Sequence, residues 1–111
     1  MFLAHSFRLR DPWQCDLVEG GGVRWSRIFH RPTGLEPDDA LWLVITGLPA
    51  EAMVNVNGQA LTGDGEVPPR FEVTKWLTEA NRIEIVIPGA CSLQPTASFP
   101  FDARLAIVGH S

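Results

Sequence analysis

The sequence predicts one all-β domain built as a sandwich of two sheets. Three observations carry this reading. Short apolar segments rich in Val, Ile, Phe and Trp recur along the chain. Gly, Pro, Asn and Asp interrupt them roughly every 8–12 residues. No segment has the 3.6-residue period, over a sufficient length, that a packed helical layer needs.

The segments justify themselves in order. His5–Arg10 alternates around Phe7 and Leu9 and stops at Asp11-Pro12, where Pro removes a ladder donor. Trp13–Val18 is a short second strand, followed by the turn Glu19-Gly20-Gly21-Gly22. Val23–His30 places Val23, Trp25, Arg27 and Phe29 on one face. Arg31-Pro32-Thr33-Gly34 ends it, and Glu36-Pro37-Asp38-Asp39 is a polar loop. Leu41–Thr46 is apolar on both faces, which predicts a central strand with Trp42 in the core. Ala52–Val56 turns Val54 and Val56 inward. Asn57-Gly58 is the sharpest local signal, because both residues tolerate the positive φ of a type I′ hairpin. Gln59–Leu61 returns from that turn, and Gly63–Glu66 with Pro68-Pro69 forms a loop. Phe71–Val73 follows, then one helical turn capped by Thr74 and carrying Lys75, Trp76 and Leu77. Asn81–Ile87 alternates strictly, Pro88–Pro100 is a long loop, and Phe101–Val108 closes the chain. The expected total is about eight strands in one domain over residues 1–111.

The bulk properties exclude several function classes. The chain has 111 residues, enough for one core without staples, with 45% hydrophobic and 20% charged residues. The formal net charge of −4 opposes nucleic acid as a partner, since phosphate binding needs a basic footprint. Arg24, Arg27 and Arg31 read as solvated strand edges or ion pairs. The longest strongly apolar run, Leu41–Ile45, is far too short to span a membrane as a helix. The start, Met1–Arg8, lacks a signal peptide's basic and apolar regions, so a cytoplasmic location is expected. Cys15 and Cys91 lack metal spacing and read as two thiols, with a single disulfide as the other arrangement.

Several of these segments form an ordered series of motifs. Trp25-Ser26-Arg27-Ile28-Phe29 is an aromatic-x-Arg-x-Phe strand followed by Pro32. Leu41–Gly47 is an apolar strand ending in Gly. Val54–Gly58 is a Val-x-Val-Asn-Gly hairpin, Phe71–Leu77 a Phe-x-Val-Thr-x-x-Leu segment, and Asn81–Ile87 an alternating strand. From about Val23 to Val108 the chain thereby resembles the sugar-binding domain of glycoside hydrolase family 2, the β-galactosidase and β-glucuronidase group. The resemblance implies a galactose-binding-like jelly roll. The family's catalytic barrel lies outside these residues. Where the family's domain ends in a Gly-Ile-Trp-like segment beside the active site, this chain has Phe99-Pro100-Phe101-Asp102-Ala103-Arg104. No hydrolase activity of its own is therefore expected.

Residue chemistry agrees. Glycoside hydrolysis needs two carboxylates across a cleft, and Asp38, Asp39, Asp64 and Glu66 read as solvated loop charges. Cys91-Ser92 with His5, His30 or His110 has no motif that frames a nucleophile and its base. No cofactor is expected; Asp38, Asp39 and Asp64 would be the donors for a structural calcium ion, without a motif to support one. Sugar recognition uses aromatic faces and polar side chains, and the chain has four Trp and no Tyr. Trp25 is expected in the core, Trp76 on the helical turn and Trp13 at a strand break. The candidate ligand-binding residues are Trp13, His30, Arg31, Asp64 and Arg70. The resulting expectation is a non-catalytic binding module with carbohydrate as its ligand. The alternative is an interaction or oligomerisation module that docks another protein or itself and has no sugar affinity.

Overall fold

The structure, a computed structural model, describes residues 2–10, 12–88 and 99–109. It is a β-sandwich of nine strands among the described residues: β1 (Phe2–Arg8), β2 (Gln14–Leu17), β3 (Gly22–His30), β4 (Ala40–Thr46), β5 (Met53–Val56), β6 (Gln59–Leu61), β7 (Arg70–Glu72), β8 (Ala80–Pro88) and β9 (Asp102–Gly109). One sheet has the order β1-β9-β4-β7 and the other β2-β3-β8-β5-β6. All neighbours pair antiparallel. The sequence reading of about eight strands agrees with this, and each strand falls on a segment the sequence marks out, the short β2 on Trp13–Val18 included.

The period-two pattern explains which side chains meet between the sheets. Leu41, Leu43 and Ile45 of β4 and Ala103, Leu105 and Ile107 of β9 face inward from the first sheet. Val23, Trp25 and Phe29 of β3, Ile83 and Ile85 of β8, and Val54 and Val56 of β5 face them from the second. Each large aliphatic side chain removed from water here contributes about 1.5–3 kcal/mol. The pair β3–β8 is the longest ladder, running from Gly22↔Pro88 to His30↔Ala80. Gly22 sits at φ +104°, and a Cβ there would lie 2.4 Å from the Ile87 carbonyl oxygen. Only glycine lets the strand start this close to its neighbour.

Two sequence expectations are corrected. Trp42 is half-buried on the outer face of β4, not in the core, because Leu41 and Leu43 take the inward register. The Arg70 guanidinium covers its ring, 5.3 Å from the centroid. The helical turn is a single 3₁₀ turn, Thr74–Trp76, whose cap position is Val73 with no side-chain cap bond. The Thr74 hydroxyl oxygen instead accepts the Leu41 N–H at 2.9 Å, tying the turn to β4. Cys15 is half-buried against the core. Cys91 and His110 lie outside the described residues, as does most of the expected loop before Phe101. None of the helices described is long and apolar enough to cross a membrane.

Candidate functional site

The candidate site is built where the chain leaves β1 and crosses to the other sheet. Leu9 continues the ladder beyond β1, its N–H donating to the Ala103 carbonyl at 2.8 Å. Two side chains then fix the crossing. The Trp13 indole N–H donates to the Leu9 carbonyl at 3.2 Å, and the Arg27 Nε donates to the Arg10 carbonyl at 2.7 Å. Arg27 occupies an inward register position of β3, where a bare charge would be costly. Its guanidinium reaches main-chain oxygens at the flank, including the Ile28 carbonyl at 2.8 Å.

Around this crossing four aromatic rings pack together. Trp13 stacks on Phe99 with ring centroids 3.9 Å apart and planes 4° from parallel. The Phe99 ring in turn meets Trp25 edge-on at 5.5 Å and Phe101 edge-on at 5.3 Å. The two edge-on contacts are the favourable T-shaped arrangement of aromatic quadrupoles. Trp25 is fully buried, whereas Trp13, Phe99 and Phe101 are half-buried. Beside them opens a hollow of about 290 Å³ lined by Arg8, Leu9, Arg10, Trp13, Phe99 and Phe101.

Among the described residues, charge at this hollow is unbalanced. Asp102 is shared by Arg8 at 3.5 Å and Arg104 at 3.3 Å. Its buried Oδ1 accepts no hydrogen bond among the described residues, because the Arg8 contact is too long to be one. The exposed Arg10 side chain has no ion-pair partner among the described residues. The six lining side chains include no carboxylate, imidazole, thiol or hydroxyl.

Two further hollows continue along the same flank. One, of about 340 Å³, is lined by Pro12, Gln14, Ser26, Arg27, Ile28 and Arg82. The other, of about 430 Å³, includes Phe7, Phe29, His30, Pro32 and Leu105. β2 covers β3 only from Val23 to Ser26, so the edge of β3 from Arg27 to His30 is unpaired in the described ladder.

The five residues singled out in the sequence fall in different places. Trp13 lines the first hollow and His30 the third. Arg31 is exposed just beyond β3, and its main-chain N–H donates to the Glu79 carbonyl at 3.0 Å. Asp64 and Arg70 do meet, with Arg70 Nη2 and Nε at 2.6 and 2.7 Å from Asp64 Oδ2. They bind one another at β7, three strands from β1 across the sheet, about 14 Å by the usual inter-strand spacing. Desolvation works against the Asp64 charge, but the Glu66 amide and the Arg70 guanidinium outweigh it and hold the carboxyl below its ordinary value. Of the loop carboxylates named as calcium donors, Asp39 accepts the Glu36 N–H at 3.0 Å and Asp64 is taken by Arg70. Among the described residues no three His, Cys, Asp or Glu side chains come together as a metal site.

Sequence reasoning missed Arg8, Arg10 and Phe99. Phe99 and Phe101 were visible as Phe-Pro-Phe in the place of the family's terminal segment, but their stacking on Trp13 has no local signal. Set against known proteins, the chain matches no protein-family profile and no curated protein sequence.

Proposed function

We propose that this sandwich is a non-catalytic binding module that takes a sugar ring in the hollow beside Trp13. Its ancestry, on this reading, is the galactose-binding-like jelly roll of the glycoside hydrolase family 2 sugar-binding domain. The observation that carries the proposal is the aromatic wall of Trp13, Phe99 and Phe101 with Arg8 and Arg10 at its rim. A pyranose has an apolar C–H face that packs on such a wall and hydroxyls that meet polar groups at the edge. The hollow holds space on the order of ten waters, enough for one ring. The lining side chains carry no acid–base pair, which suits binding rather than bond cleavage.

Titration of the protein with methyl glycosides, read by tryptophan fluorescence and calorimetry, tests this. The expected result is millimolar or tighter binding without hydrolysis, lost in Trp13→Ala while the near-ultraviolet signature of the buried Trp25 persists. A folded protein that binds no glycoside at millimolar concentration contradicts it.

One observation favours a second reading, an interaction module. The unpaired edge of β3 from Arg27 to His30 lies beside Ile28, which is 48% exposed. Such an edge can accept a strand from another chain. Light scattering that shows a dimer dispersed by Ile28→Lys supports this reading; a monomer at all concentrations argues against self-association.

A further inference from the structure

We infer that the hollow beside Trp13 selects an acidic sugar, one whose ring carries a carboxylate or a sulfate. This rests on the reading above and narrows it. The argument starts from what the hollow offers a ligand. Among the described residues its polar side chains, Arg8, Arg10 and Trp13, are hydrogen-bond donors only. The Trp13 indole is already committed to the Leu9 carbonyl, and the Arg10 carbonyl to Arg27. Two main-chain acceptors next to the hollow are thus occupied.

A neutral sugar needs both donors and acceptors around its hydroxyls, as Asn, Asp or Glu side chains supply. Donors alone favour a ligand that brings acceptors, and an oxyanion brings the strongest. Charge points the same way. Arg8, Arg10, Arg27 and Arg104 gather on this flank, and Asp102 is the one carboxylate bonded to them among the described residues. Asp11 follows Arg10 in sequence and lies outside the described residues. The whole chain is acidic, at −4, so this excess of positive charge is local. Arg10 is exposed and unpaired among the described residues, and Arg8 is held only loosely at 3.5 Å. Either guanidinium can turn its planar fork to a carboxylate or sulfate while the ring lies against the aromatic wall.

The test is calorimetric titration of the full chain at low salt with methyl β-glucuronide, glucose 6-sulfate and methyl β-glucoside. The acidic ligands are expected to bind roughly tenfold or more tightly than the neutral glucoside, as charge-assisted hydrogen bonds imply. Added salt should erode that margin, and Arg10→Gln should reduce it several-fold, since the Arg10 side chain holds no other described group in place and Arg8 alone remains to meet the anion. Preference for the glucuronide alone assigns a uronate, and preference for the sulfate alone a sulfated sugar. Equal affinity for the neutral and acidic rings overturns the selectivity and leaves sugar binding standing. Failure of all three to bind overturns both. Acetate binding as tightly as the glucuronide also overturns the proposal, because the ring would then contribute nothing.

Discussion

Asn57 stands at φ 53° in the two-residue turn between Val56 and Gln59, the conformation its pairing with Gly58 implies. Its side chain also binds across the fold. Nδ2 donates to the Trp76 carbonyl at 2.7 Å and to Asn81 Oδ1 at 2.9 Å, and Oδ1 accepts the Arg82 N–H at 3.0 Å. Asn81 is fully buried, and its Nδ2 donates to the Thr78 carbonyl at 2.9 Å. Asn57→Ala should therefore destabilise by about 1 kcal/mol more than Asn57→Gly, since only Ala strains the left-handed backbone. Both should fall below wild type in urea melts, because both drop the side-chain bonds. A midpoint for Asn57→Gly equal to wild type, with Asn57→Ala alone lower, would leave the turn alone responsible. At Asp64 the sign of a pH effect follows from the lowered carboxyl. The ion pair with Arg70 contributes in full above the ordinary value of 3.8 and is lost as pH falls through the lower folded-state value. Asp64→Asn should thus be less stable than wild type at neutral pH and indistinguishable from it well below 3.8. A gap that persists in acid contradicts this assignment. The turn role of Asn57 was legible in the sequence because it is local. The bonds to Trp76 and Asn81 were not, since they join residues 19 and 24 positions apart.

At the scale of strands, alternation identified most elements to within a residue or two. It worked best where one face is dry and the other wet, as in β8, whose Ile83 and Ile85 are buried while Arg82 is exposed. It misled at β4, where both faces are apolar. There the outward Trp42 is covered by Arg70, a cation over a ring that hydropathy cannot register. β3 and β8 form the spine of their sheet, with Trp25 opposite Ile85. Ile85→Ala is expected to cost about 3–4 kcal/mol through lost burial and a cavity that the packed core cannot close. The neighbouring Val86→Ala, on the half-buried outer face, should cost under about 1 kcal/mol. Chemical denaturation of the two variants checks the difference. Similar losses would mean that the outer face of β8 is as closely covered as the core.

For the molecule as a whole, the sandwich brings together groups that the sequence keeps far apart. Arg8 and Arg10 come from the first strand and its exit, Trp13 from the crossing, and Phe99 and Phe101 from the approach to the last strand. Of these, Trp13 alone stood out in the sequence as a ligand-binding candidate, because an aromatic residue beside a proline break is visible locally. The arginines read as ordinary strand charges until the fold set them on one rim. Asp64 and Arg70, also singled out, satisfy each other at the far edge of the sheet and leave little for a ligand. The proposed sugar site lies on the flank where β1 crosses to β2, and a nitrogen-15 amide spectrum titrated with a methyl glycoside tests that proposal most directly. The expected shifts are confined to the Trp13 indole, the amides of Leu9, Arg10, Trp13 and Gln14, and those of Phe99 and Phe101. An unchanged spectrum at millimolar ligand, or shifts centred on Trp42 and Arg70, would contradict it.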